Sequence, residues 1–183
     1  MLILAILSAS NALGDTTIAK LAPVKYAVLN EYLPDSVFMP LELYVGTFNA
    51  GGSAKKARSL VLFDTSKIRG EIVNAYLEIN LKFQEEYSSY IKKDSYEIEA
   101  LKAVQAWDKA KWSNGNSLGS DRIGGAVLGD AGQYNIQNLG SLVIGWRASP
   151  ETNYGLLLKG ASESVEILKQ IDSIYLVIEY EES

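Results

Sequence analysis

Residues 72–83 read IVNAYLEINLKF, and this run constrains the chain more than any other. Val73, Ala75, Leu77, Ile79, Leu81 and Phe83 fall on one side of a two-residue period, and Asn74, Tyr76, Glu78, Asn80 and Lys82 fall on the other. A helix would scatter these two sets around its circumference, whereas a strand sorts them onto opposite faces. The run therefore predicts a long antiparallel strand with one dry face and one wet face. A strand of this kind needs neighbours on both edges and a layer to cover its apolar side, which points to an all-β chain.

Other segments supply those neighbours. Leu41, Leu43 and Val45 alternate with Glu42 and Tyr44, and the pattern stops at Gly46. A turn cluster follows at residues 49–53, then a strand over Ser59 to Phe63 ending at Asp64. Residues 85–94 are polar and rich in Tyr and read as a hairpin connection, with a strand returning over Ser95 to Val104. Tyr154 to Lys159 reads as a strand, and Ile174, Leu176, Ile178 and Tyr180 define the last one. Leu139, Leu142, Val143 and Trp146 fall at helical spacing, which predicts one short helix near residues 138–147 with Pro150 beyond its end. Trp107 to Gly132 contains six Gly and little periodicity, and reads as a long surface loop, either functional or a lid over one end of the fold. The expected architecture is an antiparallel β-sandwich of the jelly-roll kind.

With 183 residues and 48% hydrophobic content the chain is long enough for one domain with a sizeable core. It has no Cys and no His, which removes disulfides, thiolate nucleophiles, Cys/His zinc sites and imidazole-based catalysis. Together with the low Met count, the absence of Cys also leans toward life at high temperature. Lys and Arg number 17 against 22 Asp and Glu, for a net charge of −5. No basic run is longer than two residues, so nucleic acid and anionic membrane surfaces are not expected partners. What remains is carboxylate, Lys or Tyr chemistry and hard-cation binding. Asp108, Asp121 and Asp130 are the candidate calcium ligands, although no run has the spacing of an acidic calcium loop. No pair of carboxylates stands out for glycoside cleavage. The expectation is therefore a protein without catalytic residues, cofactor or resident metal.

Residues 1–17 form an apolar N-terminal segment preceding a domain over 18–183. Leu2, Ile3, Leu4, Ala5, Ile6 and Leu7 are apolar at even and odd positions alike. One reading is the remnant of a secretory signal, with small residues following the apolar stretch. Against it, the first basic residue is Lys20, and the stretch is too short to span a bilayer. The other reading is a strand buried on both faces, packed on its own domain or donated to a neighbouring subunit. Donation would make residues 2–7 a self-assembly element and the protein a homo-oligomer or homopolymer.

Several ordered pieces of the chain resemble the DNRLRE domain family of bacterial and archaeal surface proteins. They are YLPDSVFMPLELYVG from Tyr32, RSLVLFDTSKIRG with Phe63 and Asp64, VNAYLEINL, AVQAWDKAKWSNG with Trp107, Asp108 and Trp112, SLVIGW with Gly145 and Trp146, NYGLLLKG, and YLVIEY ending at Tyr180. The run that names the family has no counterpart here, and Val61 or Leu62 stands where its leucine-rich strand carries Arg. The first 31 residues lie outside the resemblance. It implies a jelly-roll fold, an extracellular or cell-surface location, and a carbohydrate-binding or adhesive role. Trp107 and Trp112 are either glycan contacts or loop anchors packed on the sandwich end, with Trp146 as core. Tyr87, Tyr90 and Tyr96 are candidate interface aromatics. Three functions stay open: a structural subunit of an extracellular filament, a carbohydrate-binding module, and, least favoured, a polysaccharide-degrading enzyme.

Overall fold

The computed structural model describes residues 5–8, 16–36, 42–81, 94–107 and 111–182. The alternating run becomes β6 (Glu71–Leu81), with Ala75, Leu77, Ile79 and Leu81 buried as expected. Val73 departs from the pattern and is 56% exposed. The cause is a bulge. Glu179 pairs with Asn74 and Tyr180 with Ile72, so Val73 is the extra residue and turns outward.

The other strands are β1 (Ala5–Ser8), β2 (Thr16–Leu21), β3 (Lys25–Asn30), β4 (Leu43–Ala50), β5 (Ser53–Leu62), β7 (Tyr96–Ala103), β8 (Gly119–Leu128), β9 (Gly132–Ile136), β10 (Leu156–Gly160) and β11 (Leu168–Glu181). Every ladder between them is antiparallel. The strand β11 is the hub. One edge pairs with β6 along Ile171–Glu181. The other edge pairs first with β4, over Leu168–Ile171, and then with β2, over Leu176–Glu181. A register shift between Ile171 and Ser173 bends the strand between these two partners. Further on, β4 pairs with β5, β5 with β3 and β10, β10 with β7, and β7 with β8. The result is an all-β, sandwich- or barrel-like fold in which one hydrogen-bonded network folds over itself. Strands that change partners at bulges make the corners of such folds.

Between the layers lies the main core, with Val61, Phe63, Leu77, Ile98, Leu156, Leu158, Leu176 and Ile178 fully or almost fully buried. The helix α1 (Gly140–Ala148) closes it, burying Val143 and Trp146 and half-burying Leu142. Its position agrees with the sequence expectation. A second, smaller core covers the outer side of β3, β5 and β10: Ala27, Leu29, Leu60 and Leu157 pack with Trp107 and Leu118. These strands are thus buried on both faces.

The long loop expected from Trp107 to Gly132 is not one. It contains a 3₁₀ turn over Trp112–Ser117 and the ten-residue strand β8. Glycines hid that strand. A Cβ on Gly124 would approach Ile136 Cγ2 to 2.7 Å and the Gln137 carbonyl oxygen to 3.1 Å, so close packing excludes the side chain that periodicity needs. At the N-terminus, Thr16 and Thr17, grouped with the first segment by sequence, already belong to β2. No helix among the described residues is long and apolar enough to cross a membrane.

Candidate functional site

Two places carry the residues singled out by sequence: the sheet edge at the N-terminus, and the tryptophan-bearing cover over the second core. Leu2, Ile3 and Leu4 lie outside the described residues; Ala5, Ile6 and Leu7 lie in β1. This strand is hydrogen-bonded to β2 of its own chain, with Ala5 opposite Lys20, Ile6 opposite Ala19, Leu7 opposite Ile18 and Ser8 opposite Thr17. It stands at one end of the strand path. Thr17, Ala19 and Leu21 of β2 face the core, while Ile18 and Lys20 are only half-buried. Lys20 Nζ reaches Glu78 Oε1 at 2.7 Å and lies 4.3 Å from the centre of the Tyr175 ring. Burial raises the Glu78 carboxyl, but hydrogen bonds from Lys20 and Asn80 outweigh it and hold the group below its ordinary value.

The tryptophan cover is closed by cations. Trp107 is 4% exposed, and its Nε1 donates to the Tyr154 carbonyl at 2.6 Å. Lys25 Nζ sits 4.3 Å above its ring. A sugar cannot reach a ring packed on one side and capped on the other, so the structure makes Trp107 an anchor rather than a glycan platform. Trp112 is half-buried, with the Arg58 guanidinium carbon 4.7 Å from its ring centre. Arg58 forks onto Glu163: Nε donates to Oε1 and Nη2 to Oε2, both at 2.7 Å. Lys56 stands 4.0 Å from the same carboxylate. Burial raises the Glu163 carboxyl; Arg58, with Lys56 and Lys159, more than offsets this and keeps it below the usual range. A carboxyl group serving as general acid needs the opposite shift. Glu78 and Glu163 are therefore built to stay ionised, as the anionic halves of ion pairs.

Tyr96, grouped by sequence with interface aromatics, is buried in β7, and its hydroxyl donates to the Ser162 carbonyl at 3.0 Å. Tyr87 and Tyr90 lie outside the described residues, as does Asp108. Asp121 is exposed near the start of β8, and Asp130 is exposed beyond its end. The structure does not bring these two together. Among the described residues no group of three or more acidic side chains is placed to hold a metal ion. Sequence reasoning missed Lys25, Arg58 and Glu163. Arg58 falls in a Lys-Lys-Ala-Arg stretch just after the turn cluster, and only the fold brings Glu163 across to it.

Compared with known proteins, the chain matches no family model and no curated protein sequence.

Proposed function

We propose that this protein is a structural, non-enzymatic subunit of an extracellular filament or surface assembly, polymerising by exchange of its N-terminal strand. The observation that carries this reading is β1 itself. It is four residues long, lies at an end of the strand path and, among the described residues, forms its ladder with β2 alone, while the surrounding sequence is apolar at even and odd positions. A short edge strand held by one ladder can leave its own β2 and add to another copy, because the backbone bonds it loses are remade there. Copies joined head to tail this way do not close into a ring unless the rotation allows it, and otherwise extend as a fibre. The resemblance to DNRLRE surface modules fits an extracellular setting. A glycan-binding role draws less support, since Trp107 is buried.

The test is removal of residues 1–14. The full chain should assemble in a concentration-dependent way, seen by light scattering and electron microscopy, and the truncated chain should stay monomeric. Assemblies of unchanged mass and form after truncation would remove the basis for the proposal.

A further inference from the structure

A cavity that strand exchange leaves unused opens where the end of β5 meets the last turn of α1. Its volume is about 330 Å³, at the lower end of the usual range for small-molecule sites. Leu62, Phe63, Trp146 and Pro150 supply apolar wall, and Asp64 and Arg147 stand in the same lining. Two stretches that the sequence singles out separately, Phe63-Asp64 and Gly145-Trp146, thus bring Phe63, Asp64 and Trp146 to one place.

Local hydrogen bonds fix this arrangement. Asp64 Oδ1 accepts from the Ser66 N–H at 2.9 Å, which turns the chain after β5. Asn153 ties the segment ahead of β10 to the same turn: its Nδ2 donates to the Phe63 carbonyl at 2.9 Å, and its Oδ1 accepts from the Gly155 N–H at 3.1 Å. Arg147 Nη1 donates to the Gly70 carbonyl at 2.7 Å. A guanidinium carries five N–H groups in a planar fork, so most of the fork stays open for an anion. Hydrogen bonds from Ser66 hold the Asp64 carboxyl below its ordinary value, and it stays ionised near neutral pH. Among the described residues neither Asp64 nor Arg147 is in an ion pair, with each other or with any other group. Trp146 is 1% exposed, and its Nε1 has no hydrogen-bond partner among the described residues. A buried donor left open in a cavity-lining residue is a sign of an unfilled polar contact.

We infer that this cavity binds a small zwitterion, an α-amino acid with an apolar side chain. Its carboxylate lies on the open side of the Arg147 fork, its ammonium on Asp64, and its side chain against Leu62, Phe63 and Trp146. The two protein charges decide the class. An anion alone would leave Asp64 uncompensated beside it, and a cation alone would do the same to Arg147. A ligand carrying both signs answers both. A primary ammonium suits Asp64, because a carboxylate accepts N–H bonds and a quaternary ammonium has none to give. An aromatic side chain adds ring contacts with Phe63 and Trp146, so L-phenylalanine is the probe. Binding of this kind is independent of polymerisation, and neither stands or falls with the other.

Isothermal titration of the full chain with L-phenylalanine should show saturable binding. Phenethylamine, which lacks the carboxylate, and phenylpropanoate, which lacks the ammonium, should each bind at least about tenfold more weakly, as expected for the loss of a hydrogen-bonded charge. These comparisons use the unaltered chain and do not depend on the folding of any variant. Two variants then assign the ends of the ligand. Asp64→Asn keeps an oxygen to accept from Ser66, and should weaken L-phenylalanine and phenethylamine while leaving phenylpropanoate unchanged. Arg147→Gln should weaken L-phenylalanine and phenylpropanoate while leaving phenethylamine unchanged. No saturable binding of L-phenylalanine overturns the site. Equal affinity for L-phenylalanine and either analogue overturns the zwitterion as its ligand. Binding that is undisturbed in both variants places the ligand elsewhere on the chain and overturns the assignment as well.

Discussion

At the scale of single residues, Arg58 and Glu78 are buried charges held in ion pairs. Arg58 is 7% exposed and is satisfied by the Glu163 fork and the Trp112 ring. Removing the anion leaves a desolvated guanidinium, which typically costs about 3–5 kcal/mol. Glu163→Gln should therefore lower the midpoint of urea unfolding sharply, and more than Lys56→Ala does; equal, small shifts would show that the pair is solvated. The pH dependence has a definite sign. Glu163, Glu78 and Asp64 all have folded values below their ordinary ones. Their contribution is present above the ordinary carboxylate range and is lost as pH falls through the lowered folded values. Unfolding curves taken down through that range should show stability falling, with a smaller fall in Glu163→Gln. Gln170 is the opposite case. It is 2% exposed, and among the described residues neither Nε2 nor Oε1 has a hydrogen-bond partner. Leaving a buried amide unpaired costs about 1–3 kcal/mol, so Gln170→Met should be neutral or stabilising. A clear loss of stability in that variant would mean that the amide is satisfied.

At the scale of elements, the strands change neighbours along their length, and here the sequence is only partly informative. The pattern over Leu41–Val45 stops at Gly46, as at the end of a strand. In the structure β4 continues through Gly46 to Ala50, and Gly46 is where it leaves β11 for β5. Gly46 has φ +132, and a Cβ there would stand 2.0 Å from the Ile167 carbonyl oxygen. Only glycine passes that corner, so Gly46→Ala should be among the most destabilising substitutions in the chain. Thermal melts showing a drop of less than about 1 kcal/mol, the centre of the usual range for point mutants, would contradict this. The same logic separates what was legible from what was not. Ala75–Leu81 and Leu139–Trp146 each bury one face against one layer, so their periods survive in the sequence. The period breaks at Val73, because a bulge is set by the partner strand. It is blank over β8, because glycines fill it. Trp107 was readable as either a loop anchor or a glycan contact, but the partners that decide between them were not. Those partners are Lys25, arriving over its ring from β3, and the Tyr154 carbonyl, arriving from ahead of β10.

At the scale of the whole molecule, stability should be graded along the strand path. Away from the ends, β11 and the off-path β6 share the longest ladder and contribute Leu77, Ile79, Leu176 and Ile178 to the main core. At one end, β1 is held by a four-residue ladder with β2. Local opening follows such differences, from near zero at weakly held edges to the full unfolding free energy in the core. In the monomer, the amides of Ala5–Ser8 should therefore exchange with deuterium far faster than those of Ala75–Ile79 or Leu176–Ile178. Assembly by strand exchange makes a further prediction, because a strand seated in a neighbour's groove can leave only when the contact between subunits breaks. Protection of Ala5–Ser8 should rise toward that of the core on assembly. Exposed stretches such as Gly119–Ile123 should not change. If Ala5–Ser8 are already as protected in the monomer as β11, the strand is a fixed part of its own sheet and is not available to leave. If they stay fast-exchanging in the assembled material, the contact between copies is made by another surface.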